Sequence, residues 1–400
     1  MRAFSEPDSA PKSTPEIPRK RSSDVHGEEL DTRRMAGLDG LRGLAALYVV
    51  AFHCWLLTFA GFPAKSGPFW LGWLMYGRLA VVFFLIISGF SLALSPARSG
   101  WRLTSVKQFL RRRSFRILPP YWAALAGSLV IAATIVPASH AGPPTIRTVL
   151  VYSLLLQDVM VTPTPNGAFW SIAVEVELYL ALPALLLLHR RWGGIGLLTI
   201  VLSPVAVFGV LSNNGTPVED VNHLAPNLAP VFVAGILAAS VTNQPKGIRQ
   251  IPWLGLSIVA SAPVICLIVT RGPTWTVNHY FWIDVAAAPP MAFLIIAVAV
   301  GRPRALQLLL DRSPARTLGS FSYSLYLIHL PIIMVINRKI AVPYAGKGLP
   351  AFLTTLLLGV PLSILCAWLF AKVFEKPFQG NRSWRAIIFA IRNPQNDEAG

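Results

Sequence analysis

Seven ionisable side chains fall inside or at the edge of long apolar runs in this 400-residue chain: Arg42, His53, Arg78, Glu175, Glu177, Asp284 and His329. A charge or an imidazole surrounded by hydrocarbon is costly, so each is a candidate for chemistry. Arg42 and His53 are eleven positions apart. On a helix that is about three turns and about 16 Å of rise, so both project from one face. The arginine then lies near the inner surface and the histidine past the midplane. This suits a long substrate whose anionic head meets Arg42 while its reactive end reaches His53. The competing reading is a hydrogen-bonded core histidine and an arginine that snorkels to the interface.

A second cluster lies in FWSIAVEVELYLALP (169–183). Ser171, Glu175 and Tyr179 are spaced by four and share a helical stripe, while Glu177 points elsewhere. If this helix starts at the outer surface, Glu175 lies about 8 Å below it and His53 about 12 Å below it. A His53–Glu175 pair is then expected, the carboxylate orienting the imidazole as a general base. Asp284, about 5 Å below the outer end of its own span, is the rival partner. Either glutamate is alternatively an ion-pair partner that holds the bundle together. His329 is a second catalytic group or a packing residue bonded to Ser322 or Tyr326. In FLRRRSFRILPPYW (109–122), Arg111, Arg112, Arg113 and Arg116 crowd within six positions. Their planar forks suit phosphate, in a substrate or a lipid headgroup, and equally suit a plain basic anchor.

The elements that must position these groups follow from composition. Hydrophobic residues make up 54% of the chain and charged ones 13%, against about 45–50% and about 25% in soluble domains. This excludes a disordered chain, a coiled coil and an ordinary cytosolic enzyme. The expected fold is an all-α polytopic integral membrane protein. Ten spans are expected, at about 41–61, 79–94, 117–136, 170–188, 193–211, 224–241, 253–270, 281–300, 319–336 and 351–371. A shorter apolar stretch, 148–159, cannot cross a core about 30 Å thick and reads as re-entrant or interfacial. Of 35 Lys and Arg residues, 27 fall on one side of this topology and 6 on the other. That bias places both termini in the cytoplasm and explains the net charge of +17 without nucleic acid. Residues 1–37 read as a disordered basic tail, 38–380 as the membrane domain and 381–400 as a second cytoplasmic tail. No cleavable leader is evident in the tail. Cys54, Cys266 and Cys366 lie apart in apolar stretches and read as small packed side chains, with no metal-ligand pattern.

Six strings in order resemble the membrane-bound acyltransferase family 3. GLDGLRGLAALYVVAFH (37–53) is similar to its opening element, with the Arg–x10–His spacing. GRLAVVFFLIISGF (77–90), which contains Ser88, resembles the second-span element, although Val82 stands where many members have Asp. RRRSFRILPPYW (111–122) carries the Arg–x–x–Arg element at Arg113 and Arg116. FWSIAVEVELYL (169–180), SFSYSLYLIHLP (320–331) and FEKPF (374–378) resemble the remaining elements. The resemblance implies an O-acyltransferase of the bacterial inner membrane. It would move an acyl group, often acetyl, from cytoplasmic acyl-CoA to a hydroxyl of an acceptor beyond the membrane, such as a cell-envelope carbohydrate. It implies His53 as catalytic and Arg42, Arg113 and Arg116 as acyl-CoA-binding. Glu175 is expected to assist His53. Trp170, Ser171, Tyr179, Ser88, His329 and Glu375 are expected to support the site or the acceptor. Acyl-CoA is a co-substrate, and no resident cofactor, metal or nucleic acid is expected. The alternative function is a transporter or flippase of an anionic lipid-linked sugar.

Overall fold

In the computed structural model the chain is described over residues 22–64, 67–136, 143–212 and 225–380. Among these residues there is helix and no strand. Eight stretches are long and apolar enough to cross a membrane. The protein is therefore an all-α multi-pass membrane protein.

Helix α1 (Ser22–Thr58) leads into a 3₁₀ turn (Phe69–Tyr76), α2 (Arg78–Arg98), α3 (Val106–Thr134), α4 (Ile146–Ser153), α5 (Trp170–Ser212) and α6 (Leu228–Val241). The short α7 (Lys246–Arg249) precedes α8 (Trp253–Asn278) and α9 (Tyr280–Val300). Then come α10 (Arg304–Leu310), α11 (Ser313–Ser320), α12 (Ser322–Ile336), α13 (Val342–Ala345), α14 (Leu349–Phe370) and α15 (Lys376–Gly380). Single π-helical turns at Asn337–Ala341 and Ala371–Glu375 extend α12 and α14.

Three expectations are refined. Helix α1 begins at Ser22, inside the segment expected to be an unstructured tail, because EELDTRRMA is built from good helix formers. Residues 1–21 and 381–400 lie outside the described residues. The fourth and fifth spans form one helical run broken at Gly193, whose φ of 72° belongs to the region that glycine adopts without strain. The sixth span is only 14 residues long, about 21 Å of rise. Its core residues Leu228, Val231, Phe232 and Ile236 are fully enclosed, so α6 is an internal helix packed on α2, α5 and α9. Small residues permit this: Gly89 faces the Phe232 carbonyl and Gly235 faces the Ile86 carbonyl, with no room for a Cβ at either.

The short apolar stretch is re-entrant. A Thr145–Thr148 capping box starts α4. Its far end reaches the middle of α3, where the Tyr121 hydroxyl donates to the Tyr152 carbonyl at 2.8 Å and Trp122 Nε1 donates to the Ser153 carbonyl at 3.0 Å. Thirteen residues of α3 lie beyond Tyr121, about 20 Å of helix. The irregular segment 154–169 stays at that depth and is tied there by its own polar groups. Asn166 Nδ2 donates to the Leu327 carbonyl at 2.9 Å, its Oδ1 accepts from the Ala168 amide, and Gln157 Nε2 donates to the Phe169 carbonyl. Non-helical backbone is tolerated at membrane depth when protein satisfies it in this way.

Helix α5 therefore starts inside the bundle. It runs antiparallel to α3: Phe169 packs on Tyr121, Arg113 lies over the Tyr179 ring, and His189 stacks on Trp101 before α3 begins. Its first turn lies about 20 Å short of the level that α3 reaches. We call the end of the bundle that carries Trp101 and Arg111–Arg116 the basic end.

Candidate active site

A cavity of about 230 Å³ opens between α1, α2, α3, α5 and α12. Arg42, Ser88, Arg113, Arg116, Ser171, Glu175 and Tyr179 all line it. Seven of the residues singled out in the sequence thus converge on one space, although they come from four helices.

The cavity wall is polar on the α1–α3 side. Arg42 donates to Asp39 and to Ser91 Oγ, each at 2.7 Å, which fixes its guanidinium at the start of the membrane segment of α1. Arg113 and Arg116 come from α3, whose first turn is capped by Ser105 through the Gln108 amide. Facing them, Glu175 accepts hydrogen bonds from Tyr179 and, at 3.2 Å, from Ser88. The Tyr179 and Ser88 hydroxyls are 2.8 Å apart. Two carboxylates, Glu175 on the wall and Asp39 behind Arg42, thus face three guanidiniums, which leaves positive charge in excess at the basic end.

The expected pairing of Glu175 with His53 is not formed. Its premise was that α5 starts at the surface. Because α5 starts inside the bundle, Glu175 lies near Arg113 and is bonded to Tyr179 and Ser88 instead. Asp284 is not the partner either: its Oδ2 accepts from Arg78 Nε at 2.8 Å and from Asn227 Nδ2 at 2.9 Å. Arg78 in turn lies over the rings of Trp170 and Tyr280. Glu177 faces Asp158 of the re-entrant segment, away from the cavity.

His53 is paired with His329. The rings are 4.9 Å apart, and His53 Nδ1 lies 3.1 Å from His329 Nε2. Neighbouring carbonyls settle which nitrogens carry hydrogen. His329 Nδ1 is 2.8 Å from the Tyr326 carbonyl and 3.1 Å from that of Leu325. A carbonyl can only accept, so this nitrogen is a donor and Nε2 of the neutral ring is an acceptor. His53 Nδ1 is 2.9 Å from the Val49 carbonyl and is likewise a donor, shared with His329 Nε2. The lone pair of His53 is thereby placed on Nε2. His329 is fully buried, whereas His53 is partly accessible.

His53 does not itself line the cavity. The far wall is made by Phe84 and Tyr326, whose rings meet edge-on at 5.9 Å. Tyr326 sits 5.9 Å from the His329 ring, and its hydroxyl is 2.7 Å from Ser171 Oγ and donates to the Ala168 carbonyl at 3.0 Å. Ser171 and Trp170 are therefore inside the bundle, not at the outer surface where their helix was expected to start. Glu375 lies behind the cavity. It accepts from Ser324 and from Gln379 Nε2 at 2.8 Å, and so ties α12 to the turn after α14. Tyr323 and Phe84 were not singled out in the sequence, and Tyr326 only as a packing partner of His329. The signal for Tyr326 was present, since Tyr326 and His329 are three apart and share a face.

The site thus has cations at one end and an oriented imidazole beyond an aromatic wall. The family model described as Acyltransferase domain (Acyl_transf_3) matches residues 35–372. The chain belongs to this family. It is 28% identical over 388 residues to Acyltransferase MdmB of Streptomyces mycarofaciens, covering 92% of this chain and 97% of that one. It is 24% identical to Nodulation protein 10 of Rhizobium leguminosarum bv. viciae over 77% of this chain and 84% of that one. It is also 24% identical to O-acetyltransferase OatA of Staphylococcus aureus (strain NCTC 8325), over 89% of this chain and 59% of that one. The protein is an O-acyltransferase.

Proposed function

We propose that this acyltransferase takes an acyl group, acetyl foremost, from cytoplasmic acyl-CoA and delivers it to a hydroxyl of a cell-envelope carbohydrate. The reading is carried by one observation: a cavity holds Arg42, Arg113 and Arg116 at its basic end, and Tyr326 of its far wall lies 5.9 Å from the His329 ring that pairs with His53. The name of OatA supports acetyl as the group moved. The Lys and Arg bias supports an inner-membrane orientation with the basic end and both termini in the cytoplasm.

The donor phosphates meet the three guanidiniums, which bind phosphate oxygens through paired N–H groups. The pantetheine arm runs along the wall of Ser88, Glu175 and Tyr179. The thioester passes Phe84 and Tyr326 to reach His53. There His53 Nε2 takes the proton of the acceptor hydroxyl, and the hydroxyl oxygen bonds to the thioester carbonyl carbon. The carbon–sulfur bond breaks, and the sulfur leaves as CoA thiolate and receives the proton from the imidazolium. His329 Nε2 keeps its hydrogen bond from His53 Nδ1 throughout, which holds the ring orientation and stabilises the imidazolium. This is the part a carboxylate plays in serine hydrolases.

The test is to incubate membranes containing the protein with labelled acetyl-CoA and to follow label into envelope polysaccharide, lipid and small molecules. Label in a carbohydrate fraction is the expected result. No transfer to any fraction from several acyl-CoA donors overturns the proposal.

A further inference from the structure

A second cavity, about 180 Å³, lies beside the first at the basic end. It is lined by Arg111, Arg112, Arg113 and Arg116 of α3 and by Phe378 and Gln379 of α15, with Phe115 at its edge. Arg113 and Arg116 line both cavities and form their common wall. None of the four guanidiniums is within ion-pairing distance of a carboxylate among the described residues. Glu375, the acidic group that faces Arg116, is already engaged by Ser324 and Gln379. Four like charges within six positions repel one another, and an arriving anion relieves that repulsion.

We propose that this second cavity is a subsite for the nucleotide end of the donor, where Arg111 and Arg112 bind a phosphomonoester remote from the thioester. The inference rests on the acyl-CoA reading above. The shared wall supports it, because a donor whose phosphates meet Arg113 and Arg116 from the first cavity has the second directly beside it. Phe378 and Phe115 add aromatic faces, on which a base of any kind can stack. An anionic lipid headgroup offers the same phosphate chemistry, and the experiment separates the two sources.

The full-length protein in vesicles is assayed with acetyl-CoA and with acetyl-dephospho-CoA, which lacks the 3′-phosphate. Loss of one charge-assisted contact predicts a KM about tenfold or more higher for the dephospho donor, with kcat little changed. In Arg111→Gln/Arg112→Gln, KM for acetyl-CoA rises to that of the dephospho donor, whose own KM is unmoved. Equal KM values in the wild-type protein overturn the proposal with no variant needed. A variant that slows both donors equally, with a defect that follows the phosphatidylglycerol content of the vesicles, assigns the cavity to a lipid headgroup and also overturns it. No turnover of either donor is a failure of the acyl-CoA reading itself. In that case binding of adenosine 3′,5′-bisphosphate to the solubilised protein decides the subsite separately, and absence of binding overturns it.

Discussion

The two polar regions of this membrane domain are built on opposite principles. At the basic end, Arg42, Arg113, Arg116 and Glu175 crowd one cavity and leave a net positive charge. Beyond Phe84 and Tyr326, His53 and His329 form a pair of neutral rings with carbonyls and aromatic side chains around them. The first region is suited to holding a charged molecule. The second is suited to moving a proton, because a neutral imidazole in a dry setting keeps an available lone pair. The aromatic wall between them keeps the guanidiniums away from the imidazole, where nearby positive charge would oppose its protonation. On the proposed reading, binding and chemistry fall to different regions of the domain, and mutations in each have separable consequences.

The largest effect is expected at the lone pair. His53→Ala removes the base and lowers kcat by about 10²–10⁴-fold, while the amount of protein recovered in the membrane is unchanged. Near-normal turnover would dissolve the distinction between the two regions. A smaller loss is expected for His329→Ala, about 10²-fold in kcat with KM nearly constant, because His53 remains but is free to rotate. His329→Asn, which keeps an acceptor near the same place, should recover part of it. If alanine and asparagine are equally poor, His329 is needed for packing and not for orientation. The smallest effect is expected for Glu175→Gln, less than about tenfold and mostly in KM, since Glu175 touches Tyr179 and Ser88 and not His53. A loss as large as that of His53→Ala would reinstate the carboxylate as the partner of the imidazole.

The sequence revealed which residues matter more readily than how deep they lie. Apolar run length located most of the helices, and the strings around Arg42, Arg113 and Glu175 hold the four charged residues of the cavity wall. Depth was misjudged at the start of α5, and the expected pairing of Glu175 with His53 rested on it. Hydropathy measures how long an apolar run is, and says nothing about whether its first residue meets water or protein. Trp170 opens an apolar helix in either case. The information that puts it inside the bundle is held by Asn166, Gln157 and Tyr121, whose hydrogen bonds join residues far apart in the chain. The His53–His329 contact spans 276 positions and has no local signature at all.

The Asn166 amide has a consequence for biosynthesis. It donates both to the Leu327 carbonyl of α12 and, at 3.4 Å, to Ser128 of α3. One side chain therefore clasps a strip of chain to a neighbour already made and to another that emerges from the ribosome some 160 residues later. Until that late partner arrives, the dipping strip is held to α3 alone, and the cavity lacks its Tyr323 and Tyr326 wall. The clasp and the cavity wall are therefore completed only once α12 has been made.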